Sequence, residues 1–193
     1  MKVFKELAKA VRRFAFEFTD EGHVYFPESK LLRMGVFTPK LIAPDGTVVE
    51  ELPLAHNRTV MEGRNHQLDV VFHGGTPVTT WYLGVFEGNY TPLDTDTAAT
   101  FPGSSTECTA YDEATRVAFV EGAASGGIIS NAGNEAVFTF NANKTIYGGF
   151  LISSSAKGAT TGVLMSAARF SPSRVVEPLF SLQIGYNISL VDA

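Results

Sequence analysis

Apolar and polar residues alternate with a period of two along most of the chain after residue 76. The longest example is LFSLQIGYNISLV, near the C-terminus. Its apolar members share one parity and are Phe180, Leu182, Ile184, Tyr186, Ile188 and Leu190. Strict alternation is typical of a strand that buries one face and leaves the other in water. We therefore predict a long strand here with this apolar face in the core.

Several shorter stretches between residues 76 and 170 also read as strands. They are VTTWYLGVFEG, TRVAFVEG, EAVFTFNAN, TIYGGFLIS and TGVLMSAARF, separated by turns rich in Gly, Ser and Asn. Nothing in this region has the alternating strand and helix rhythm of a parallel sheet. The pattern predicts a mainly β fold, a β-sandwich or a jelly-roll-like domain.

The period changes to that of a helix in HNRTVMEGRNHQLDVVFHGG, residues 56–75. Thr59 and Glu62 have the spacing of a capping box, and Gly74-Gly75 is a helix-ending signal. We predict a capped helix at about residues 59–73. Its predicted buried side consists of Met61, Leu68, Val71 and Phe72.

The same stretch holds His66, Asp69 and His73, which a helix would place on one side. Two histidines that share a metal ion on a helix are usually four residues apart, whereas these are seven apart, about 10 Å along the axis. We therefore interpret them as structural or surface groups. A metal-dependent enzyme that uses His66 and His73 is the alternative, which metal analysis of the purified protein would test.

The first 26 residues carry a different pattern. Apolar residues recur at helical spacing up to residue 14, and then at every second position in FAFEF, with HVYF as the returning strand of a hairpin. These residues form the predicted partner-binding set: Phe4, Leu7, Val11, Phe14, Phe16, Phe18, Val24 and Phe26. KLIAPDGTVVEEL predicts another hairpin, with its turn at residues 44–46.

Charge and composition suggest how the chain is organised. The first 40 of the 193 residues hold eight Lys/Arg and five Asp/Glu, net +3, whereas the remaining 153 hold seven and fifteen, net −8. We predict an N-terminal arm at residues 1–55, made of a helix and hairpins, and a β-sandwich domain at residues 56–193. The basic head predicts an acidic partner surface, such as another copy of the chain.

Composition also excludes several classes of function. The formal net charge of −5 argues against nucleic acid as the main partner. No apolar run approaches the roughly 20 residues that span a membrane, so we expect a soluble protein with no membrane partner. Cys108 is the lone cysteine, near Glu107, Asp112 and Glu113. We expect it to be inert, because negative charge raises a thiol pKa.

The sequence contains no nucleophile elbow, phosphate-binding loop or zinc motif, so we expect no catalytic residues, no cofactor and no metal. Asp94 and Asp96 could bind calcium, but the surrounding loop lacks the glycine and glutamate of an EF-hand. A possible aromatic sugar platform consists of Trp81, Tyr82, Tyr90 and Phe101. Aromatic residues on strands are more often core residues.

Two long segments resemble a group of tailed-bacteriophage virion proteins. The first runs from VMEGRNHQLDVVFHGG through TTWYLGVFEGNYTP to AATFPGSSTECTAYDEATR, and the second is FTFNANKTIYGGFLISSSAKGATTGVLMSAARF. Together they cover roughly residues 56–190. Seven residues of these segments belong to the motifs that carry the resemblance, and we interpret them as residues that maintain the fold. They are Glu62, Asn65, His66, Trp81, Asn89, Tyr90 and Arg116.

The resemblance implies a non-enzymatic structural protein, similar to capsid decoration or cement proteins. Such a protein is made in the host cytoplasm and resides on the capsid surface of the virion, where it binds the major capsid protein and other copies of itself. The alternative is a tail-associated structural protein or a module that binds a receptor or glycan.

Overall fold

The computed structural model describes the backbone of residues 17–18, 24–25 and 31–192 and the side chains of residues 35–190. Contacts divide the chain into two compact units, one of residues 1–32 with 190–193 and one of Arg33–Ser189. In the first unit, a small hairpin pairs β1 (Glu17–Phe18) with β2 (Val24–Tyr25). This confirms the predicted hairpin at the level of the backbone.

The larger unit is mainly β, and its strands form two antiparallel sheets consistent with a β-sandwich, as the sequence pattern predicts. Sheet I has the strand order β10-β14-β3-β4, with β11 also paired to β14 and β5 to β3. Its strands are β3 (Leu31–Ile42), β4 (Val48–Glu51), β5 (Ala55–His56), β10 (Ile128–Ser130), β11 (Ala136–Thr139) and β14 (Ser181–Asp192).

Sheet II has the order β6-β13-β12-β7-β8, with β9 also paired to β7. Its strands are β6 (Arg58–Thr59), β7 (Tyr82–Phe86), β8 (Glu107–Cys108), β9 (Val117–Ala118), β12 (Lys144–Ile152) and β13 (Leu164–Val176). Two helices accompany the sheets, α1 (Met61–Phe72) and the short α2 (Phe101–Ser104). Neither is long and apolar enough to cross a membrane.

The main core contains apolar residues of both sheets. On sheet I, the predicted parity of β14 is confirmed, because Leu182, Ile184 and Tyr186 are buried. Phe180 and Ile188 pack against this core, whereas Leu190 is exposed because it lies near the strand end. Phe37 of β3 is fully buried, and its ring stacks on that of Tyr186 with centroids 4.2 Å apart.

Sheet II is covered on both faces. In β7, Leu83 and Val85 point into the main core, whereas Phe86 belongs to a second cluster on the opposite face. Phe101 of α2 lies in the middle of that cluster, with edge-on contacts to Phe86 and Phe150 at centroid distances of 5.6 and 5.3 Å. A strand with two buried faces explains why VTTWYLGVFEG is apolar on both parities.

Glycines make room for two of these rings. In the register of β7 and β12, Gly84 lies opposite Phe150 and Gly148 lies opposite Phe86. A Cβ atom added to Gly84 would lie 2.3 Å from the Phe150 ring, and one added to Gly148 would lie 2.3 Å from the Phe86 ring. Each ring therefore covers the glycine of the neighbouring strand, an arrangement that compensates for the weak strand preference of glycine.

The predicted hairpin at KLIAPDGTVVEEL is confirmed as β3, a turn and β4. Gly46 has a φ of +84°, which suits glycine, and the Thr47 amide donates a 2.9 Å hydrogen bond to the Asp45 carboxylate.

The larger unit begins at Arg33 rather than at residue 56. Residues 33–55, which belong to the predicted arm, supply strands to sheet I because the inward-facing residues of β3 complete the main core.

Candidate interaction surface

The stretch that contains three of the four histidines forms α1, which packs on sheet II. The helix begins at Met61 and ends at Phe72, followed by Gly74 with a φ of +69°. The predicted ending by glycine is therefore confirmed. The predicted capping box is wrong, because the residue before the helix is Val60 and no side chain caps the first turn. Thr59 instead pairs with Ser166 of β13 as part of β6.

Glu62 does not cap the helix as predicted but binds backbone amides in other parts of the chain. One of its carboxylate oxygens, Oε2, accepts hydrogen bonds from the Ala98 amide at 2.8 Å and the Leu164 amide at 2.7 Å. These amides belong to the loop before α2 and to β13. A charged acceptor shared by two backbone donors is a strong link. Glu62 thus holds three separate parts of the chain together.

The side of α1 that faces the sheet is small and polar. A Cβ atom added to Gly63 would lie 2.4 Å from the Met165 carbonyl oxygen, so the helix and β13 touch backbone to backbone. Gln67 donates to the Met165 sulfur at 3.5 Å. His66 contacts the Trp81 ring edge-on at a centroid distance of 5.7 Å. Close approach at Gly63 leaves no space for large apolar side chains on this side.

The prediction that Met61, Leu68, Val71 and Phe72 are buried is therefore wrong. Their exposed fractions are 48%, 57%, 67% and 81%. We call these four residues the α1 stripe. Large apolar patches on a protein surface usually mark an interaction site. The α1 stripe is accordingly the candidate functional site of the larger unit.

The loop before α2 uses both of its aspartates internally. Arg64 makes two hydrogen bonds to the Asp94 carboxylate at 2.7 and 2.9 Å, and these lower the pKa of Asp94. Asp96 accepts from the Tyr90 hydroxyl at 2.8 Å and from the Leu93 amide at 2.7 Å. Burial and the bond to Asp96 raise the pKa of Tyr90 to about 12. Protein donors thus occupy the groups that calcium would need.

A buried ion pair lies below the loop at residues 154–159. Arg116 donates two hydrogen bonds to Glu107 at 2.8 and 2.7 Å, and both side chains are almost completely buried. The same guanidinium donates to the carbonyl oxygens of Ser154 at 2.9 Å and Ala159 at 3.0 Å, while the Gly158 amide donates to Glu107. Sequence spacing alone does not reveal this pair, although its residues lie only nine positions apart.

The remaining candidates for reactive or metal-binding residues are Cys108 and His73. Cys108 is fully buried, and burial, with a contribution from Glu87, raises the pKa of its thiol to about 11. His73 is exposed at the end of α1. Within residues 35–190, no group of three or more His, Cys, Asp and Glu side chains is arranged to hold a metal ion.

Of the seven residues in the motifs that carry the resemblance, five make contacts within the fold and two are exposed. Glu62, Tyr90 and Arg116 hold the fold through the bonds described above, and His66 and Trp81 contact each other. Asn65 and Asn89 are exposed, and nothing in the structure explains them.

The predicted partner-binding residues lie outside the described side chains. They are Phe4, Leu7, Val11, Phe14, Phe16, Phe18, Val24 and Phe26. Only the backbones of Phe18 and Val24 are described, and these two residues are direct partners in the β1–β2 hairpin. The binding role of the set stays a prediction. The sequence does not identify the α1 stripe as a surface, because the apolar side of a helix usually faces the core.

Comparison of the sequence with protein-family models gives no match, and comparison with curated proteins gives none either.

The role of Glu62 leads to a graded prediction. We expect Glu62→Ala to lower stability by about 1–3 kcal/mol, because it leaves two backbone amides without their acceptor. At roughly 2–4 °C per kcal/mol for a chain of this size, a melting experiment resolves the change. Glu62→Gln retains an acceptor oxygen and should cost less. Glu177→Ala, at an exposed position, serves as the control. Equal melting temperatures for Glu62→Ala and the control would contradict the proposed link.

Proposed function

We propose that this chain is a non-enzymatic virion protein of a tailed bacteriophage, a decoration or cement protein. It binds the outer surface of the major capsid lattice and neighbouring copies of itself. By joining adjacent subunits, it stabilises the shell. The resemblance over roughly residues 56–190 supports the virion assignment, and the β-sandwich provides a rigid unit suited to such a role.

The structural observation that carries the proposal is that α1 turns its polar side to sheet II and its apolar side to solvent. Charged side chains in the resembling motifs, Glu62 and Arg116, form hydrogen bonds within the fold. Large apolar side chains, by contrast, face outward along the α1 stripe. An enzyme uses converging polar groups in a concave site, whereas a binding protein uses an apolar patch surrounded by polar residues. The second description fits this surface better.

The physical basis of binding would be burial of apolar area, at roughly 25 cal/mol per Å² removed from water. A rigid sandwich loses little conformational freedom when it docks, so more of this free energy contributes to affinity. Many copies on one lattice would add avidity, because binding of each copy to the shell and to its neighbours reinforces the other contacts. Modest contacts per copy are then sufficient.

The glycan-binding alternative depends on an exposed aromatic platform. Phe101 is fully buried, and Tyr82 and Tyr90 pack against the second apolar cluster. Trp81 packs against the main core and contacts His66. Stacking on a sugar needs a ring with one free face. Phe101 has none, and the other three rings are half-buried and packed against the apolar clusters, so the four do not form one exposed platform. The decoration role is therefore the one we put forward.

The test is to locate the protein in purified particles by cryo-electron microscopy and to measure its binding to heads that lack it. We expect density for two packed sheets on the outer head surface, and added protein should co-sediment with such heads and raise the temperature at which they release DNA. Density confined to the tail would instead support the alternative, a tail-associated structural protein. Its absence from particles would overturn the proposal altogether.

A further inference from the structure

The orientation of α1 is determined by several independent contacts. Glu62 binds two backbone amides, Gly63 touches the β13 backbone, and His66 and Gln67 contact residues of the domain. Rotating the helix to bury the α1 stripe would break all of these contacts and push large side chains against Met165. The stripe therefore faces outward because of the way the larger unit is packed, and any partner that covers it must come from outside that unit.

The size of the stripe limits what that partner can be. Its four side chains expose from about half to four-fifths of their surfaces, which amounts to roughly 400–500 Å² of mostly apolar area, comparable to the largest patch of about 300–600 Å² on a typical monomer. Burying one such patch against an equal patch removes about 900 Å² in total, close to the roughly 1,000 Å² that a specific contact requires. A second copy of the stripe thus fits in area.

The four side chains of the stripe carry no charge of their own. Arg64, beside the stripe, already pairs with Asp94, and Asp69 is an exposed carboxylate next to Leu68. The chain as a whole carries −5, so two copies repel each other at long range, and salt weakens this repulsion. A neutral apolar face suits an equally neutral face better than an acidic or basic one. Met61 adds a flexible side chain that adapts to a facing ring such as Phe72.

We infer that the α1 stripe is a homodimer contact, in which α1 of one copy packs against α1 of a second copy across a two-fold axis. A two-fold interface uses the same patch on both subunits, and a single exposed helix face satisfies this condition. The small area indicates a weak, concentration-dependent dimer. This contact rests on the same stripe as the proposed function and specifies its contact between copies, but it forms in the free protein, so it can be tested without capsids.

The test is sedimentation equilibrium of the full chain over a wide concentration range. We expect the apparent mass to rise from that of the 20.8 kDa monomer towards twice that value. The double variant Val71→Asp/Phe72→Asp should remain monomeric at every concentration, because it places charges in the contact. The matched control is Val48→Asp/Val49→Asp on β4, where two adjacent valines are also about half exposed. This control should dimerise like the natural chain.

Near-ultraviolet circular dichroism and a cooperative melt would establish that each variant is folded, and Leu68→Lys repeats the test at the middle of the stripe. A natural chain that stays monomeric throughout overturns the inference. So does a dimer that survives the α1 substitutions or that is lost only in the β4 control. A monomer whose binding to capsids requires the stripe would assign the surface to the capsid protein and would equally exclude the dimer.

Discussion

A chain that begins at residue 56 should fail to fold, whereas one that begins at residue 31 should unfold cooperatively. The shorter chain lacks β3, the direct neighbour of β14 in sheet I. It also lacks Phe37, which is fully buried against Tyr186 and Phe170. Loss of a buried phenylalanine alone costs about 3–5 kcal/mol, against a typical total stability of about 5–15 kcal/mol.

The loss extends beyond a single ring. Leu41, Leu52 and Ala55 leave the main core with the deleted segment, and the backbone groups on one side of β14 lose their partners. Unpaired backbone groups at a strand edge promote aggregation. We therefore expect residues 56–193 to be insoluble or to show no cooperative transition by circular dichroism. A cooperative melt of that fragment, close to that of residues 31–193, would support the predicted boundary between arm and domain at residue 55.

The second large effect concerns the buried ion pair. Arg116→Ala should lower stability by about 3–5 kcal/mol, because it leaves the Glu107 carboxylate buried without its cation. It also removes the donors to the Ser154 and Ala159 carbonyl oxygens. Chemical denaturation monitored by tryptophan fluorescence measures the change, since Trp81 is the only tryptophan in the sequence.

The control for Arg116 is Arg64→Ala. Arg64 makes the same two-bond contact with a carboxylate, Asp94, but both side chains are well exposed to solvent. Water screens such a pair, so we expect this variant to be clearly milder. Similar effects of the two variants would show that burial does not determine the strength of these pairs. Adding Glu107→Gln to Arg116→Ala should recover part of the loss, because it removes the unpaired charge.

The strands could be predicted from the sequence because burial of one face of a strand makes apolar and polar residues alternate along it. The alternation at Leu182, Ile184 and Tyr186 follows from side chains that point alternately to opposite faces. The PDG turn likewise follows from local backbone preferences. Such features depend on neighbours in sequence, so they can be read without knowledge of the fold.

The helix surface could not be predicted in the same way. The rule that the apolar side of a helix faces inward fails at α1 because Gly63 permits close contact with β13 and Glu62 binds distant amides. The partners of Glu62 lie 36 and 102 positions away, and no local pattern indicates such contacts. The role of Arg116 could not be predicted for a similar reason, since its partners include the loop at residues 154–159.

The position of β14 in sheet I has a consequence for how the protein forms during synthesis. β14 (Ser181–Asp192) lies between β3 (Leu31–Ile42) and β10. At about 5–20 residues per second, a ribosome needs roughly 7–30 s to extend the chain from one of these strands to the other.

During that interval β3 has no permanent neighbour on the side that β14 will occupy, and its exposed edge attracts other nascent chains. Sheets that join distant segments also form slowly. We therefore expect productive folding in the cell to depend on chaperones that shield β3 until β14 has been synthesised.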